Sequence, residues 1–257
     1  MLADLVAGAL EDAAERQLSV GLADVEAAAA LQPAALDALS FLAPADRVKI
    51  IAEVKRASPS RGDLAAIADP AALAARYAAG GASAISVLTE ARKFKGSLAD
   101  LEAVRAAVDV PVLRKDFIAT DYQVFEARAA GADLVLLIVA ALDQPTLSHL
   151  HDLIVSLGMT PLVETHDAAE VSRAVDLGAA LIGVNARNLS TFDLDPDLFG
   201  RLADRIPAGT IKVAESAVQS VDDVAHYRAA GADVVLVGEA LVTGDDPVTT
   251  LKEFLSV

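Results

Sequence analysis

The sequence predicts an α/β fold, a (β/α)8 (TIM) barrel with an N-terminal helical extension, on three observations. The chain has 257 residues, close to the usual size of one such barrel. Short apolar runs alternate with stretches long enough to form helices. Several of these runs end in a polar or ionisable residue, and the carboxyl ends of barrel strands are where such folds carry their active-site groups.

The predicted strands are short segments rich in Val, Ile and Leu, as expected for parallel strands that are buried on both faces. Eight strands is the number at which a barrel closes around a filled interior. An open doubly wound sheet would usually show a glycine-rich first turn, and no G-x-G-x-x-G follows the first strand. In chain order the predicted strands are 48–54, 84–88, 111–115, 134–138, 161–164, 181–185, 211–215 and 234–238.

The helices between the strands are predicted from Ala-rich stretches. Four strands are preceded by such a stretch ending at Gly81, Gly131, Gly178 or Gly231, and glycine readily adopts the left-handed conformation that ends a helix. The predicted helices are 71–79, 98–108, 122–130, 144–157, 168–177 and 221–230, with a last helix in the tail, 246–257.

About 45 residues before the first strand are predicted to be helical. Apolar residues recur at helical spacing over 2–18, and 22–31 and 34–42 are shorter candidates. This extension would cover the barrel bottom or form part of the active-site wall. We predict a single domain over 1–257, with extra helices over 1–45 and the barrel over 46–257.

The composition disfavours several classes of function. There are 37 acidic and 21 basic residues, a formal net charge of −16, which repels nucleic acids and anionic membranes. The longest apolar run, 134–142, is far shorter than the ~20 residues that span a bilayer, and the N-terminus lacks the basic region of a secretory signal. We expect a cytoplasmic protein, monomeric, without nucleic-acid or membrane partners. Because the chain has no Cys, thiolate metal sites and thiol nucleophiles are excluded.

Ionisable residues at strand ends form the candidate catalytic group. Because side chains alternate along a strand, Glu53 and Lys55 point into the barrel together, and Lys115 and Glu164 do so on other strands. A cavity that holds two lysines and two glutamates has coupled titrations suited to general acid–base catalysis. The alternative is a buried salt-bridge network that ties strands together, but such networks are rarely favoured for stability alone.

An anionic, phosphorylated ligand is predicted from the positions of cations and turns. In a strongly acidic protein, Lys55, Lys115 and Arg187 all lie at strand ends, although ion pairing at the rim is an alternative for each. Gly238 follows the last strand, in the quadrant where barrels often bind phosphate through backbone N–H groups. Glu239 beside it would repel phosphate unless its side chain points away.

Aromatic and imidazole side chains are further candidates for contact with a ligand. Phe94, in a polar loop after the second strand, and Phe117 could stack on an aromatic substrate ring; a hydrophobic plug over the barrel mouth is an equal alternative. His149 and His151 lie two residues apart in a predicted helix, a spacing that points the rings apart, and His166 is interpreted as a loop histidine. We predict no metal and no cofactor.

Several strings of the chain resemble the indole-3-glycerol phosphate synthase family, from about residue 48 to residue 244. The first-strand string I-A-E-V-K-R-A-S-P-S and the string L-R-K-D-F-I are long enough to be specific. The strings lie at 51–60, 86–90, 113–118, 162–164 and 182–189. The N-terminal helices also fit this family.

The resemblance implies that the chain closes an indole ring in tryptophan biosynthesis. The substrate would be 1-(2-carboxyphenylamino)-1-deoxyribulose 5-phosphate, which loses carbon dioxide and water without a cofactor. Lys115 would be the general acid at the substrate carbonyl, and Glu164 would serve in later proton transfers. Lys55, steered by Glu53, would help with dehydration or contact the phosphate.

The resemblance also implies contacts that hold the substrate. Asn185 and Ser216 would orient it, with Ser58 and Arg187 nearby. The further substrate-binding positions are Phe94, Phe117, Leu189, Ala217, Gly238 and Glu239.

One departure from the family pattern affects the predicted phosphate site. The family usually has Gly after the serine of an A-E-S-G string, whereas this chain has Ala217. If this position requires a positive φ, Ala costs on the order of 1 kcal/mol and weakens substrate binding several-fold. If the backbone there is ordinary, little changes.

Two alternative functions were weighed. One is another phosphosugar barrel enzyme: phosphoribosylanthranilate isomerase is expected to use a Cys, which this chain lacks, and a ribulose-phosphate epimerase is expected to need a metal. The other is a catalytically silent barrel that binds a phosphorylated metabolite or acts as a partner subunit. The set of Glu53, Lys55, Lys115 and Glu164 argues against a silent barrel.

Overall fold

The strands close into the predicted barrel. The structure is a computed structural model that describes residues 1–189, 191–243 and 246–257. In chain order the barrel strands are β1 Lys49–Val54, β2 Ala84–Leu88, β3 Val112–Lys115, β4 Leu134–Ile138, β5 Thr160–Thr165, β6 Leu181–Asn185, β7 Ile211–Glu215 and β8 Val234–Val237. All neighbours are parallel, and β1 pairs with both β2 and β8 to close the cylinder. Each predicted strand is correct to within one residue at either end.

Helices surround the barrel and extend it at the N-terminus. They are α1 Leu2–Ser19, α2 Leu22–Leu31, α3 Ala38–Leu42, α4 Pro70–Gly80, α5 Leu98–Ala107, α6 Asp121–Ala129, α7 Gln144–Ser156, α8 Ala168–Asp176, α9 Leu198–Leu202, α10 Val221–Ala229, α11 Glu239–Thr243 and α12 Pro247–Phe254. A short hairpin pairs Ala57–Ser58 with Gly62–Asp63 after β1. In the part of the chain that the structure describes, no helix has both the length and the apolar character needed to cross a membrane.

Several helices differ from the sequence prediction, among them α3, α9, the unassigned α11 and α12, which ends at Phe254. The helix predicted over 34–42 begins only at Ala38, because the backbone N–H of Leu36 donates to Asp133 at 2.7 Å and holds the preceding segment out of a helix. Asp37 then caps the helix by accepting the N–H of Ser40. The sequence analysis also assigned no helix between β6 and β7, where the five-residue α9 lies.

Side-chain alternation along the strands produces two cores. One face of each strand packs against the helices; Ile50, Ile85 and Val163 lie in this outer core. The other face fills the barrel interior, where Ile51 and Leu162 lie. The inner face therefore carries the strand-end side chains into a single cavity.

The N-terminal extension contacts both ends of the barrel. Leu5 of α1 lines the pocket at the carboxyl ends of the strands. The Leu36–Asp133 hydrogen bond lies at the opposite end, because Asp133 immediately precedes β4. The extension thus contributes to the active-site wall and also covers part of the barrel bottom.

Candidate active site

The fourteen candidate residues named from the sequence all line one pocket at the carboxyl ends of the strands. They are Glu53, Lys55, Ser58, Phe94, Lys115, Phe117, Glu164, Asn185, Arg187, Leu189, Ser216, Ala217, Gly238 and Glu239. Residues that are far apart along the chain therefore face one cavity, because parallel strands end at the same edge of the barrel. The roles assigned to them stay predictions.

Lys115 lies at the centre of three buried carboxylates. Its Nζ is 2.9 Å from Oε2 of Glu215, 3.7 Å from Oε2 of Glu164 and 3.8 Å from Oε2 of Glu53. Burial by itself would lower the pKa of Lys115, but the surrounding carboxylates outweigh burial and raise that pKa above its ordinary value. Lys115 is therefore a fixed ammonium group that faces the pocket.

Glu164 and Glu215 both lie near the ammonium group of Lys115, but their pKa values shift in opposite directions. Burial, together with repulsion from Glu164, raises the pKa of Glu215 to about 8 despite the attraction of Lys115. For Glu164, Lys115 and His166 overcome burial and lower the pKa. The two groups therefore titrate as a coupled pair, in which Glu215 is the more easily protonated member. Consistent with this, Oε1 of Glu215 is buried without a hydrogen-bond partner.

Glu215 was missed by the sequence analysis. It shares the inward face of β7 with Val213, so strand alternation was a signal that could have found it. Its side chain needs the space above Gly183, where a Cβ would come within 2.1 Å of Oε1 of Glu215. A glycine on β6 therefore allows this carboxyl group to reach Lys115.

Lys55 forms a second, simpler ion pair at the end of β1. Its Nζ is 3.0 Å from Oε1 of Glu53, and Ser86 Oγ donates to Oε2 of the same carboxylate at 3.2 Å. Burial would raise the pKa of Glu53, but Lys55 and Lys115 outweigh it and lower that pKa. At Gly238 a Cβ would lie 2.6 Å from Oε1 of Glu53, so the glycine also makes room for this pair.

The end of β7 has an unusual backbone beside an oriented amide. Ser216 has φ 69° and Ala217 has φ 57°, so both lie in the left-handed region that favours glycine. Ser216 Oγ donates to Oδ1 of Asn185 at 2.8 Å, and the backbone N–H of Arg187 donates to the same oxygen at 3.0 Å. Because both donors bind Oδ1, the amide nitrogen of Asn185 is directed away from them.

The carboxylate of Glu239, which lines the pocket, is paired with an arginine. Its Oε1 is 2.7 Å from Nη2 of Arg61, which lies in the hairpin after β1. Glu239 is the first residue of α11, immediately after Gly238. The pairing with Arg61 offsets the repulsion of phosphate that the sequence analysis expected from Glu239.

Two phenylalanines that contact each other contribute to the apolar lining of the pocket. The ring centroids of Phe94 and Phe117 are 6.2 Å apart, with the planes tilted by 45°. The loop that carries Phe94 is shaped by Glu90, whose carboxylate accepts the backbone N–H groups of residues 92, 93 and 94 at 3.0, 2.7 and 2.8 Å. Gly96 is required in this loop, because a Cβ there would lie 2.0 Å from the carbonyl oxygen of Leu88.

The histidines differ in their surroundings. His166 lies in the loop between β5 and α8, as the sequence predicted, and its Nε2 is 3.3 Å from Oε1 of Glu164. His149 contacts Asp121, and His151 contacts Asp152. Within residues 1–189, 191–243 and 246–257, no group of three or more His, Cys, Asp or Glu side chains is placed to hold a metal ion.

Comparison with known proteins places this pocket in a family context. The model of the family described as "Indole-3-glycerol phosphate synthase" matches residues 2–254. The indole-3-glycerol phosphate synthase of Leifsonia xyli subsp. xyli is 74% identical over 257 residues, covering 100% of this chain and 98% of that protein. "Indole-3-glycerol phosphate synthase 1" of Streptomyces coelicolor is 58% identical over 256 residues, covering 100% of this chain and 95% of that protein.

The barrel also resembles solved structures with other activities. The crystal structure of 3-hexulose-6-phosphate synthase superimposes with a TM-score of 0.63 over 81% of this chain and 99% of that chain. Their sequence identity is 21%, so this likeness supports the fold alone.

Proposed function

The chain belongs to the indole-3-glycerol phosphate synthase family, and on that premise we propose how its side chains divide the work of the reaction. The enzyme is a carboxy-lyase of tryptophan biosynthesis. It closes the indole ring of 1-(2-carboxyphenylamino)-1-deoxyribulose 5-phosphate with loss of carbon dioxide and water. The assignment of steps to residues below is our proposal.

The observation that carries the proposal is the position of Lys115. A lysine held as an ammonium by three carboxylates, and facing an open pocket, is a proton donor of fixed orientation. In the first step the ring carbon that bears the carboxylate attacks the ketone carbon of the substrate chain. The ketone oxygen then takes a proton from Lys115 and becomes a hydroxyl group. The surrounding carboxylates stabilise the ammonium form of the lysine before transfer. The neutral amine left after transfer regains a proton before the next turnover, and the five-membered ring releases one when it becomes indole.

The later steps remove carbon dioxide and then water. Breaking the bond to the carboxylate releases carbon dioxide and returns the electron pair that restores the aromatic ring. The hydroxyl group leaves as water when it receives a proton, and the five-membered ring loses one proton to become indole. We assign proton transfers in this stage to Glu164 and to Lys55, which Glu53 positions at 3.0 Å.

We assign the remaining pocket residues to the parts of the substrate that match their chemistry. The phosphate fits the corner formed by the ends of β7 and β8, with backbone N–H groups near Ser216, Ala217 and Gly238. The carboxyphenyl ring fits against Phe94 and Phe117, whose rings form an apolar wall. Arg187, Ser58, Leu189 and Asn185 line the space between these ends.

The proposal also covers the cofactor, the oligomeric state, the cellular location and the partners of the protein. We assign no cofactor to the reaction, because lysine and carboxylate groups supply the required proton transfers. A monomeric state, a cytoplasmic location and the absence of nucleic-acid partners stay predictions. The net charge of −16 supports the last of these.

The proposed division of proton transfers between Lys115 and Lys55 is tested by measuring two products of the same reaction. Carbon dioxide is released after ring closure, whereas indole fluorescence appears only after water has left. In a single turnover we expect Lys55→Met to release carbon dioxide ahead of indole fluorescence. Lys115→Met should delay both products together, because the first proton transfer is lost.

The matched pair removes the same functional group at two places in one pocket, so each variant is the control for the other. Circular dichroism and denaturant titration verify that both are folded. The proposed division is wrong if Lys115→Met releases carbon dioxide at the parent rate, or if Lys55→Met delays both products equally.

A further inference from the structure

His166 lies between two carboxylates just beyond the end of β5. Its Nδ1 is 3.1 Å from Oε2 of Glu170, and its Nε2 is 3.3 Å from Oε1 of Glu164. The backbone N–H of His166 also donates to Oε2 of Glu170 at 2.8 Å. Glu170 therefore contacts both the imidazole ring and the backbone of His166, and the other ring nitrogen faces the candidate active-site carboxylate.

The contact with Glu164 is an ion-pair distance rather than a well-directed hydrogen bond. Nε2 of His166 is buried and has no hydrogen-bond partner of good geometry. The two oxygens of Glu164 face different cations, Oε1 towards His166 and Oε2 towards Lys115 at 3.7 Å. The carboxylate of Glu164 is thus fixed from both sides.

We propose that His166, held by Glu170, is a positioning residue for Glu164, which it orients towards the substrate and supplies with a second cation besides Lys115. This inference rests on the proposed function, in which Glu164 takes part in proton transfer. It assigns to His166 and Glu170 a part in the reaction without contact with the substrate.

Charge balance around the pair supports this role. Lys115 is 2.9 Å from Glu215 and 3.7 Å from Glu164, so on its own it would favour ionisation of Glu215 rather than of Glu164. His166 contacts Glu164 and adds a second cation on that side only. With the imidazolium in place, Glu215 is the more easily protonated member of the pair.

The titration of the groups involved agrees with the geometry. Burial would lower the pKa of His166, but Glu164 and Glu170 outweigh it and raise that pKa to about 10, so the ring is an imidazolium at neutral pH. These two carboxylates are the groups that act on the ring. From the neighbouring strands, Lys115 of β3 and Glu215 of β7 act on Glu164.

The test compares His166→Gln with the parent enzyme over pH 6 to 9, using the rate of indole formation at saturating substrate. Without the imidazolium, the shared proton moves in part to Glu164 at low pH and leaves the pair at high pH. We expect the ratio of the variant rate to the parent rate to rise about tenfold from pH 6 to pH 9, the effect of roughly one pKa unit.

Two further variants serve as a graded test and a control. Glu170→Gln keeps an oxygen that accepts the backbone N–H of His166 but removes the charge, so the same ratio should rise by a smaller amount. His151→Gln removes an equally buried imidazole, 11% exposed against 13% for His166, outside the pocket. Its ratio should not change with pH.

A ratio that stays constant with pH in both His166→Gln and Glu170→Gln overturns the inference, as does a rise of the same size in His151→Gln. If His166→Gln does not fold, the result for Glu170→Gln decides. Glu164→Gln separates this inference from the proposed function. Parental activity in Glu164→Gln removes the role of Glu164 itself, whereas an inactive Glu164→Gln with constant ratios overturns only the role of His166.

Discussion

Arg114 and Lys115 are adjacent residues of β3, and both are cations surrounded by carboxylates. Because side chains alternate, Arg114 faces α6 outside the barrel and Lys115 faces the pocket inside it. Arg114 is fully buried at 0% exposure, whereas the side chain of Lys115 is 15% exposed. The two faces of one strand therefore offer a direct comparison between a cation in the helix layer and a cation in the active site.

The two networks differ in how completely they are satisfied. Arg114 donates to Thr89 Oγ1, the carbonyl oxygen of Gln123, Asp116 and Glu126, so its planar group is enclosed by acceptors. Glu126 also binds Arg16 of α1 at 2.5 Å, which ties the N-terminal helix to the barrel.

The network around Lys115 contains an orphaned carboxyl oxygen on Glu215 and opens to the pocket. A satisfied buried network stabilises a fold, and a network with unused capacity for protons is suited to chemistry.

The largest stability effect is expected at Arg114. Arg114→Met leaves Asp116 and Glu126 buried without their shared partner, and breaking a buried ion pair typically costs about 3–5 kcal/mol. Denaturant titration should show this loss in the free energy of unfolding. Arg16→Met is the graded control, because Arg16 binds the same Glu126 from the half-exposed side and should cost less. Equal losses of stability in the two variants would contradict the claim that Arg114 contributes more to stability than Arg16.

A pH-dependent effect of intermediate size is expected at Glu215. Its pKa is raised to about 8 in the folded protein, against an ordinary value of 4.5, so the folded state keeps a proton that the unfolded state has lost. The contribution of Glu215 to stability should therefore fall as pH rises from about 5 to about 8.

The measurement is the free energy of unfolding of the parent minus that of Glu215→Gln, which cannot ionise at this position. This difference in free energy should decrease as pH rises through that window. The other ionisable groups are present in both proteins, so their contributions largely cancel in the difference. A difference that is flat or increases with pH would show that Glu215 is ionised at neutral pH.

The smallest effect is expected at Ala217, whose φ of 57° meets the condition under which the sequence analysis expected a cost. Ala217→Gly should relieve on the order of 1 kcal/mol of strain and lower the Michaelis constant several-fold. Ala214→Gly is the matched control on the same chain segment, because Ala214 lies in the extended backbone of β7 and gains nothing from glycine. An unchanged Michaelis constant in Ala217→Gly would mean that this turn is already in its binding geometry.

Much of the fold was predictable because buried parallel strands are continuous apolar runs with glycine-terminated helices before them. The convergence of Lys55, Lys115 and Glu164 was predictable for a related reason, since the ends of parallel strands meet at one edge. The start of α3 was not, because it depends on a hydrogen bond between Leu36 and Asp133, which are distant in sequence.

The site features that escaped prediction depend on side-chain direction and on contacts between strands. Glu215 has the right alternation, but its importance lies in reaching Lys115 across the space above Gly183. His166 lies beyond the end of its strand, where alternation no longer indicates which way a side chain points. Its role becomes visible only with the 3.3 Å contact to Glu164.

The most direct test of the central claim, that the inward cation of β3 performs chemistry and the outward cation holds the fold, is one paired measurement. Indole formation per folded molecule and the free energy of unfolding are measured for Lys115→Met and Arg114→Met under the same conditions. Lys115→Met should lose about 10²- to 10⁴-fold in rate, with a smaller loss of stability than Arg114→Met. Arg114→Met should retain most of its rate when folded. A folded Lys115→Met that works at the parental rate, or a folded Arg114→Met that is equally inactive, would contradict the account.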